Sequence, residues 1–381
     1  MNFDLTEEQE LLQKTAREFG EEHLAPGVIE RDDKGEMPKE QIKMMAELGF
    51  LGMMIPEEWN GAGMDAVSYV LAMEEISRAD ASAGVIMSVN NSLVCQIFMD
   101  WGNDFQREKY LKKLALGEWL GAFSLSEPQS GSDASNMRTH AEKDGDDYVL
   151  NGTKNWVTNG ISSDVVIIFA VTTKGIGYKG VSAFIVEKGL PGFSIGKKED
   201  KLGIRGSDTC ELYFDECKVP AENLIGKEGD GFRIAMKTLN GGRIGIASQA
   251  LGIAQASLDK SIEYAKERKQ FGKPIGSFGA IQSKLANMAI NVEASRLLIL
   301  KAAKLKDEHK PYAKEAAMAK QFASQTAVDA SRECVQIYGG YGYMQEYGVE
   351  RLMRDAKITQ IYEGTSEIQE LVIARAIMEG K

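Results

Sequence analysis

Between about residues 120 and 225 the chain drops the helical period that governs it on either side. Short apolar or alternating runs follow one another there: Leu120–Leu125, Tyr148–Leu150, Asn155–Thr158, Val165–Thr172, Val181–Val186 and Glu211–Phe214. Turn pairs such as Asp144-Gly145-Asp146, Asn151-Gly152 and Asn159-Gly160 separate them. Strands this closely spaced leave no room for crossover helices, so the segment predicts a small antiparallel sandwich or barrel. Upstream, Leu11, Leu12, Ala16 and Phe19, then Met44, Met45 and Leu48, then Tyr69, Leu71, Met73 and Ile76 recur at helical spacing. Downstream come four long periodic segments, 230–268, 276–309, 312–337 and 345–378, divided at Gly272-Lys273-Pro274, near Pro311 and at Gly339 to Gly342. Long helices with short connections form a four-helix bundle. The predicted fold is therefore α+β: an N-terminal helical domain over 1–119, a middle antiparallel β sandwich/barrel domain over 120–226 and a C-terminal four-helix bundle domain over 227–381.

Composition narrows the function classes. A formal charge of −11, from 45 basic and 56 acidic residues, disfavours nucleic acid or an anionic membrane as partner. The longest apolar run is read as Val165 to Val171, too short to span a bilayer. The N-terminal stretch is acidic, begins a helix with Thr6 and Gln9 spaced as a capping box, and resembles neither a signal nor a transit peptide. Four scattered cysteines without Cys-x-x-Cys predict reduced, buried thiols and a cytoplasmic protein. Three separated histidines exclude a His-based metal site or a Ser-His-Asp triad, so no metal is predicted. Carboxylates or an organic cofactor must carry the chemistry.

Three segments are candidates. In Gln360-Ile361-Tyr362-Glu363-Gly364-Thr365-Ser366-Glu367, a glycine beside a carboxylate breaks a helical pattern and can aim Glu363 out of the helix line. The alternative is a surface Glu before a helix capped by Thr365 or Ser366. Phe123 to Asp133 ends a strand in a loop of small polar residues, offering hydroxyls and N–H groups to a ring edge or a pyrophosphate. Asn155 to Gly160 sets Trp156 and Thr158 near the end of another strand, where an indole can stack on a flat cofactor or fill a core. Gly175-Ile176-Gly177-Tyr178-Lys179-Gly180 matches a dinucleotide fingerprint but lies between two strands, so it is read as a hairpin loop.

Together these segments resemble the acyl-CoA dehydrogenase family. The resemblance rests on Leu125-Ser126-Glu127-Pro128 with Gly131-Ser132-Asp133, Trp156-Val157-Thr158-Asn159-Gly160, Gly242-Arg243-Ile244-Gly245, Glu267 to Gly272, Gln336 to Gly342 and Ile361 to Thr365. Met87 to Leu93 and Gly245 to Gly252 further resemble its short-chain, butyryl-CoA branch. The resemblance implies one FAD per subunit, an acyl-CoA substrate, an electron-transferring flavoprotein as electron partner, and a homotetramer built as a dimer of dimers. It implies that Phe123, Leu125, Ser126, Gly131, Ser132, Trp156, Val157 and Thr158 hold the cofactor within one subunit. Arg268, Gln270, Phe271, Gln336, Ile337, Gly339 and Gly340 should reach the cofactor of a neighbouring subunit, with Thr365, Glu367 and Gln369 closing the site. Ser132, Asn240, Arg243, Tyr362 and Gly364 are implied substrate contacts, and Glu363 the catalytic base.

The implied chemistry needs a base at Cα and an acceptor for the hydrogen leaving Cβ, which no side chain supplies. The family stabilises the enolate with the N–H of the base residue, here Glu363, and a ribityl hydroxyl of FAD. Isovaleryl-CoA dehydrogenases carry their base on the helix of the Gly-Arg motif, but Gly242 cannot serve, which leaves Glu363. Three positions depart from the family pattern: Asn240 for Asp, Gly279 for Gln and Gln129 for a smaller residue. An enoyl-CoA reductase, a branched or cyclic acyl-CoA dehydrogenase and a non-catalytic FAD-binding scaffold remain alternatives.

Overall fold

The computed structural model describes residues 4–380. Helices α1 (Glu7–Phe19), α2 (Val28–Lys34), α3 (Lys39–Glu47), α4 (Ala66–Ala79) and α5 (Ala81–Ser88) open the chain. A π-helical turn, Val89–Cys95, carries α5 into α6 (Gln96–Trp101), and α7 (Asp104–Gln106) and α8 (Lys112–Ala115) complete this layer. The Thr6 hydroxyl accepts from the Gln9 N–H at 3.2 Å, and the Gln9 amide accepts from the Thr6 N–H at 3.1 Å, closing the capping box. Met1 to Phe3 of the N-terminal reading lie outside the described residues. Helix α4 is buried from Ala66 to Ser77, so it runs through the core instead of covering it.

The segment Ala81–Trp101 is long and apolar enough to cross a membrane by length and composition, with 89% of that window buried in protein. Reading Val165 to Val171 as the longest apolar stretch passed over it because Ser88, Asn90, Asn91 and Ser92 interrupt the run. Those polar residues face inward with partners. Asn90 donates to the Leu51 and Leu114 carbonyls at 2.9 and 3.0 Å, and Asn91 donates to the Phe50 carbonyl at 2.8 Å.

Eight strands follow: β1 (Gly121–Ser124), β2 (His140–Asp144), β3 (Asp147–Thr158), β4 (Val165–Val171), β5 (Val181–Glu187), β6 (Phe193–Lys198), β7 (Thr209–Pro220) and β8 (Leu224–Ile225). They form one sheet in the order β6-β7-β3-β2-β4-β5-β8, with β1 alongside β4. Most pairings are antiparallel, but β1 and β2 meet β4 in parallel, a mixed topology that the expected antiparallel domain lacks. Strand β4 is apolar throughout because both of its faces are covered. Val165, Ile167 and Phe169 join the core shared with the helices, while Val166, Ile168 and Ala170 join a second core inside the sheet domain. The glycine-rich segment 175–180 is the β4–β5 connection, a hairpin as its strand context predicts.

The last layer holds three long helices, α9 (Gly231–Glu267), α10 (Gly279–Asp307) and α11 (Ala313–Tyr338). A two-stranded ribbon, β9 (Lys269–Gln270) and β10 (Lys273–Pro274), joins the first two. The expected fourth segment, 345–378, is two helices, α12 (Val349–Ile358) and α13 (Ser366–Met378). Consecutive left-handed residues, Glu363 at φ +52° and Gly364 at φ +89°, cannot continue a right-handed helix. Thr365 then caps α13 by accepting from the Ile368 N–H. An ion pair and a hydrogen bond tie the first layer to the last: Arg296 on α10 grips the Glu74 carboxylate of α4 at 2.7 and 3.3 Å, and Asp307 accepts from the Ala66 N–H at 2.7 Å.

One buried pair fixes the loop after β1. Lys154 donates to the Glu127 carboxylate at 2.8 Å and to the Leu125 carbonyl at 3.2 Å, and Glu127 also accepts from the Arg138 and Thr139 N–H groups. Burial drives the Lys154 amine down to about 8 despite this partner. Burial alone would raise the Glu127 carboxyl, but the Lys154 charge and the N–H donors hold it below the ordinary range. Lys154→Met strands that carboxylate and is expected to destabilise the protein by about 3 kcal/mol. Urea unfolding measures the loss, and an unchanged midpoint would show that the pair does not hold the loop.

Candidate active site

Glu363 sits at the corner between α12 and α13, and its surroundings are assembled from three distant parts of the chain. Two side chains hold the corner. Lys320 of α11 donates to the Gly364 carbonyl at 2.6 Å, and the Gln369 amide donates to the same oxygen at 2.8 Å and to the Glu363 carbonyl at 3.3 Å. The Tyr362 hydroxyl donates to the Gln249 side-chain oxygen, and Gln249 donates to the Ala81 carbonyl at 2.8 Å, which ties the corner to α9 and α5.

The carboxyl group itself is packed against the backbone of α9. A Cβ on Gly242 would overlap Glu363 Oε2 and lie 2.7 Å from Leu93 Cδ2, so this glycine is what makes room for the carboxylate. Gly245, one turn on, faces Ser88 Oγ and the Tyr69 hydroxyl, at 2.5 and 2.7 Å from a Cβ. Leu93 belongs to the π-helical turn, and its neighbour Val94 packs against Gly121 at the start of β1. A π turn inserts an extra residue and re-aims the side chains after it. Here it sets the wall of the Glu363 pocket and the first strand of the sheet on one short segment.

Glu363 Oε2 has no hydrogen-bond partner among the described residues. Burial raises its carboxyl to about 7, against the opposing pull of Lys320 and Arg243. Among the described residues neither cation stands within ion-pair distance of a carboxylate. Lys320 is fully buried and pushed down by burial to about 8, and Arg243, also lowered by burial, donates only to Asn240 Oδ1 at 2.8 Å and keeps an unpartnered Nε. The Glu363 N–H likewise meets no acceptor among the described residues. An uncommitted carboxyl titrating near neutrality, beside an uncommitted N–H, can take a proton and donate a hydrogen bond to the same substrate.

The other predicted residues fall into two places. On the first, the loop after β1 meets β3, with the Asn155 N–H donating to the Ser126 carbonyl at 2.9 Å. Phe123 and Leu125 belong to the core shared with the helices, the side from which Glu363 is presented. A register shift in β3 between Lys154 and Val157 re-aims Trp156, which takes φ +58° and stays 62% exposed. Thr158 is half-buried beyond it. The Val157 side chain instead enters the core inside the sheet domain, so its place in the predicted set reduces to backbone. Gly131 and Ser132 are exposed on the loop after β1, and Gln129 donates to Glu127 at 2.7 Å. This face fits the FAD that the resemblance implies on two counts: an exposed indole stands beside it, and the Leu125 and Ser126 N–H groups find no acceptor within the described chain.

In the second place, Arg268, Gln270, Ile337, Gly339 and Gly340 line an open groove of about 510 Å³ together with Tyr341. Gln336 is exposed beside it, and Phe271 is 92% exposed at φ +51°. From Gly242 to the end of α9 at Glu267 is 25 residues, or about 37 Å of helix. This groove therefore belongs to a different end of the molecule from Glu363. Glu367 is exposed in the first turn of α13, Gly279 faces open space, and Asn240 serves Arg243. Lys320 lies in no motif of the sequence reading, and Leu93 entered it only within the Met87 to Leu93 resemblance, with no place in the site. A lysine within the buried alanine face of α11 (Ala316, Ala319, Ala323, Ala327) is the signal that could have found the first.

Profiles of the acyl-CoA dehydrogenase N-terminal, middle and C-terminal domains match residues 6–118, 122–217 and 229–378. A short-chain specific acyl-CoA dehydrogenase of Clostridium acetobutylicum is 49% identical over 377 residues, covering 99% of this chain and 100% of that protein. The butyryl-CoA dehydrogenase structure from Megasphaera elsdenii superposes with a TM-score of 0.98 at 50% identity, covering 99% of this chain and 100% of that one. A chain from a structural study of the electron transferring flavoprotein of Acidaminococcus fermentans and flavin-based electron bifurcation gives the same TM-score, identity and coverage.

The Gly242 contact is directly testable. Gly242→Ala is expected to expel the Glu363 carboxyl from its pocket, so that its titration, followed by infrared difference spectroscopy, falls below about 7. At Gly241 a Cβ meets nothing closer than 3.7 Å, and Gly241→Ala should leave the carboxyl where it is. Equal titrations for both variants would refute the packing argument.

Proposed function

Because the chain belongs to the acyl-CoA dehydrogenase family, whose domain profiles match it nearly end to end, we propose that it catalyses FAD-dependent α,β-dehydrogenation of a short-chain, butyryl-CoA-like thioester to the trans-2-enoyl-CoA. The observation that carries this reading is Glu363: a carboxyl titrating to about 7 in a pocket made by a glycine, with one oxygen uncommitted.

Glu363 removes the α-proton. A carboxylate in water is a weak base for a thioester, and burial is what matches it to the task. The Glu363 N–H is available to the thioester oxygen, where negative charge develops as the proton leaves. Arg243 and Lys320 favour the ionised base without neutralising it in a contact pair. Tyr362, Gln249 and the Tyr69–Ser88 pair close the side of the pocket beyond Gly245, which supports a short acyl chain. The Phe123, Leu125, Ser126, Trp156 and Thr158 face would hold FAD, which would supply the acceptor for the hydride from Cβ. Ser132 and Gly131 lie where the loop can meet a phosphate, and Asn240 with Arg243 flanks the substrate side of α9.

The distant groove belongs in this reading to the neighbouring subunit's cofactor. An exposed Phe271 in a left-handed conformation and an Arg268 set over Tyr341 support an interface there, within a homotetramer arranged as a dimer of dimers. Electrons pass to an electron-transferring flavoprotein, a partner supported by the near-identical fold in the Acidaminococcus study. Four free, buried cysteines support a cytoplasmic location. The same groups operating in reverse would serve an enoyl-CoA reductase, since by microscopic reversibility the protonated Glu363 would return the proton to Cα and the hydride would return to Cβ from a reduced flavin.

Anaerobic titration of the purified protein with butyryl-CoA is expected to bleach the flavin absorbance, with octanoyl-CoA much less effective. A flavin spectrum that butyryl-CoA leaves unchanged would refute the substrate class. Glu363→Gln should keep FAD and lose at least about 99% of the reduction rate. The wild-type rate should rise with pH as the carboxyl ionises, with its acid limb near about 7. Arg268→Ala should lower FAD retention and the oligomer's thermal stability together, because a ligand bound across an interface stabilises both. Full FAD retention in that variant would dismiss the shared site.

A further inference from the structure

Lys320 is the most tightly enclosed cation near the active corner and serves no ion pair. Its side chain is 0% exposed, and it leaves α11 among Ala316, Ala317, Ala319, Ala323 and Ser324, a face otherwise built of small neutral residues. Its one recorded hydrogen bond goes to the Gly364 carbonyl at 2.6 Å, and no carboxylate stands within 4.0 Å of its amine among the described residues. Burying an ammonium on a single neutral carbonyl is unfavourable, since among the described residues its other N–H donors meet no acceptor. Were its role only to pin a loop, a neutral donor such as the amide of Gln369, already on the same carbonyl at 2.8 Å, would do so without that penalty.

We propose that Lys320 is a positioning residue for Glu363: its ammonium holds the Gly364 carbonyl, and so the left-handed corner that aims the carboxyl at Gly242, while its charge favours the ionised base. This inference rests on the reading of Glu363 as the base. The charged and titratable groups facing Glu363 are Lys320 from α11, Arg243 from α9, Tyr69 from α4 and its own neighbour Tyr362, with Glu367 of α13 nearer to Lys320. Of these, Lys320 and Arg243 pull the carboxyl down, and Lys320 alone is also bonded to the corner. Placing the cation on the carbonyl of residue 364 and not on the carboxylate keeps the Glu363 oxygen uncommitted for substrate. A contact ion pair there would favour ionisation more strongly but would block the base.

The test separates charge from hydrogen bonding by comparing Lys320→Met, which removes both, with Lys320→Gln, which retains a donor for the Gly364 carbonyl. In the holoenzyme the Glu363 carboxyl band, identified by its loss in Glu363→Gln, is titrated by infrared difference spectroscopy. The wild-type midpoint is expected at about 7. Both Lys320 variants should titrate about one pH unit higher, with the acid limb of butyryl-CoA reduction moving by the same amount and FAD content unchanged. If both variants titrate with the wild type, whatever happens to rate or melting temperature, Lys320 is packing alone and the proposal falls. Should Lys320→Met fail to accumulate as holoenzyme, Lys320→Gln decides by the same criterion. An active Glu363→Gln would overturn the base assignment separately, because the carboxyl midpoint reports on Lys320 whether or not that carboxyl is the base.

Discussion

A carboxylate can be kept inside a protein only where something replaces the water it has given up. At Glu363 that replacement is incomplete by construction: two cations at a distance, one glycine's worth of space and one oxygen left without a partner. The rest of the architecture can be understood as what is needed to hold this arrangement. Helix α9 supplies Gly242 and Arg243, α11 supplies Lys320, and the π-helical turn after α5 supplies Leu93. None of these elements is near the corner in sequence, so Glu363 acquires these neighbours only in the packed molecule. The bundle and the first helical layer must be docked before burial can raise its carboxyl.

The sheet domain meets that corner through its covered face. Because β4 is sandwiched between two apolar layers, β1 beside it can present Phe123 and Leu125 to the helices while its other side chains complete a separate core. The irregularity in β3 then exposes Trp156, and the Lys154–Glu127 pair fixes the loop after β1. In the proposed reading this face would hold the flavin ring and Glu363 would work against it. That is the geometry an abstraction of two hydrogens from adjacent carbons demands.

Much of this was legible in the sequence, for identifiable reasons. The break at Glu363–Gly364 shows because a glycine beside a carboxylate interrupts a helical period, and the three-layer order shows because the period itself changes twice. Strands β2 and β6 were invisible because one face of each is polar and exposed, and the two short runs at 148–150 and 155–158 proved to be one bulged strand. The splitting of the last helix was half-read: the breaker was recognised, but not that α12 and α13 would part at it. What could not be read is distance. Gly242 carries no chemical signal of its own, and only its approach to Glu363 reveals why it is a glycine. Lys320 looks like any helix-surface lysine until the alanines around it are found to be buried.

The left-handed backbone at Glu363 has a consequence for how this protein can be improved. A glutamate at φ +52° beside a glycine at φ +89°, with an unpaired lysine and arginine behind it, concentrates several unfavourable contributions in one corner of an otherwise well-packed fold. A library screened for heat resistance alone would therefore drift first toward glycine or asparagine at 363 and toward neutral side chains at 243 and 320. On the proposed function it would yield sturdier proteins that fold and have lost their chemistry. On that reading the places where thermal stability is most easily gained coincide with the places where turnover is lost, so engineering for durability has to begin elsewhere.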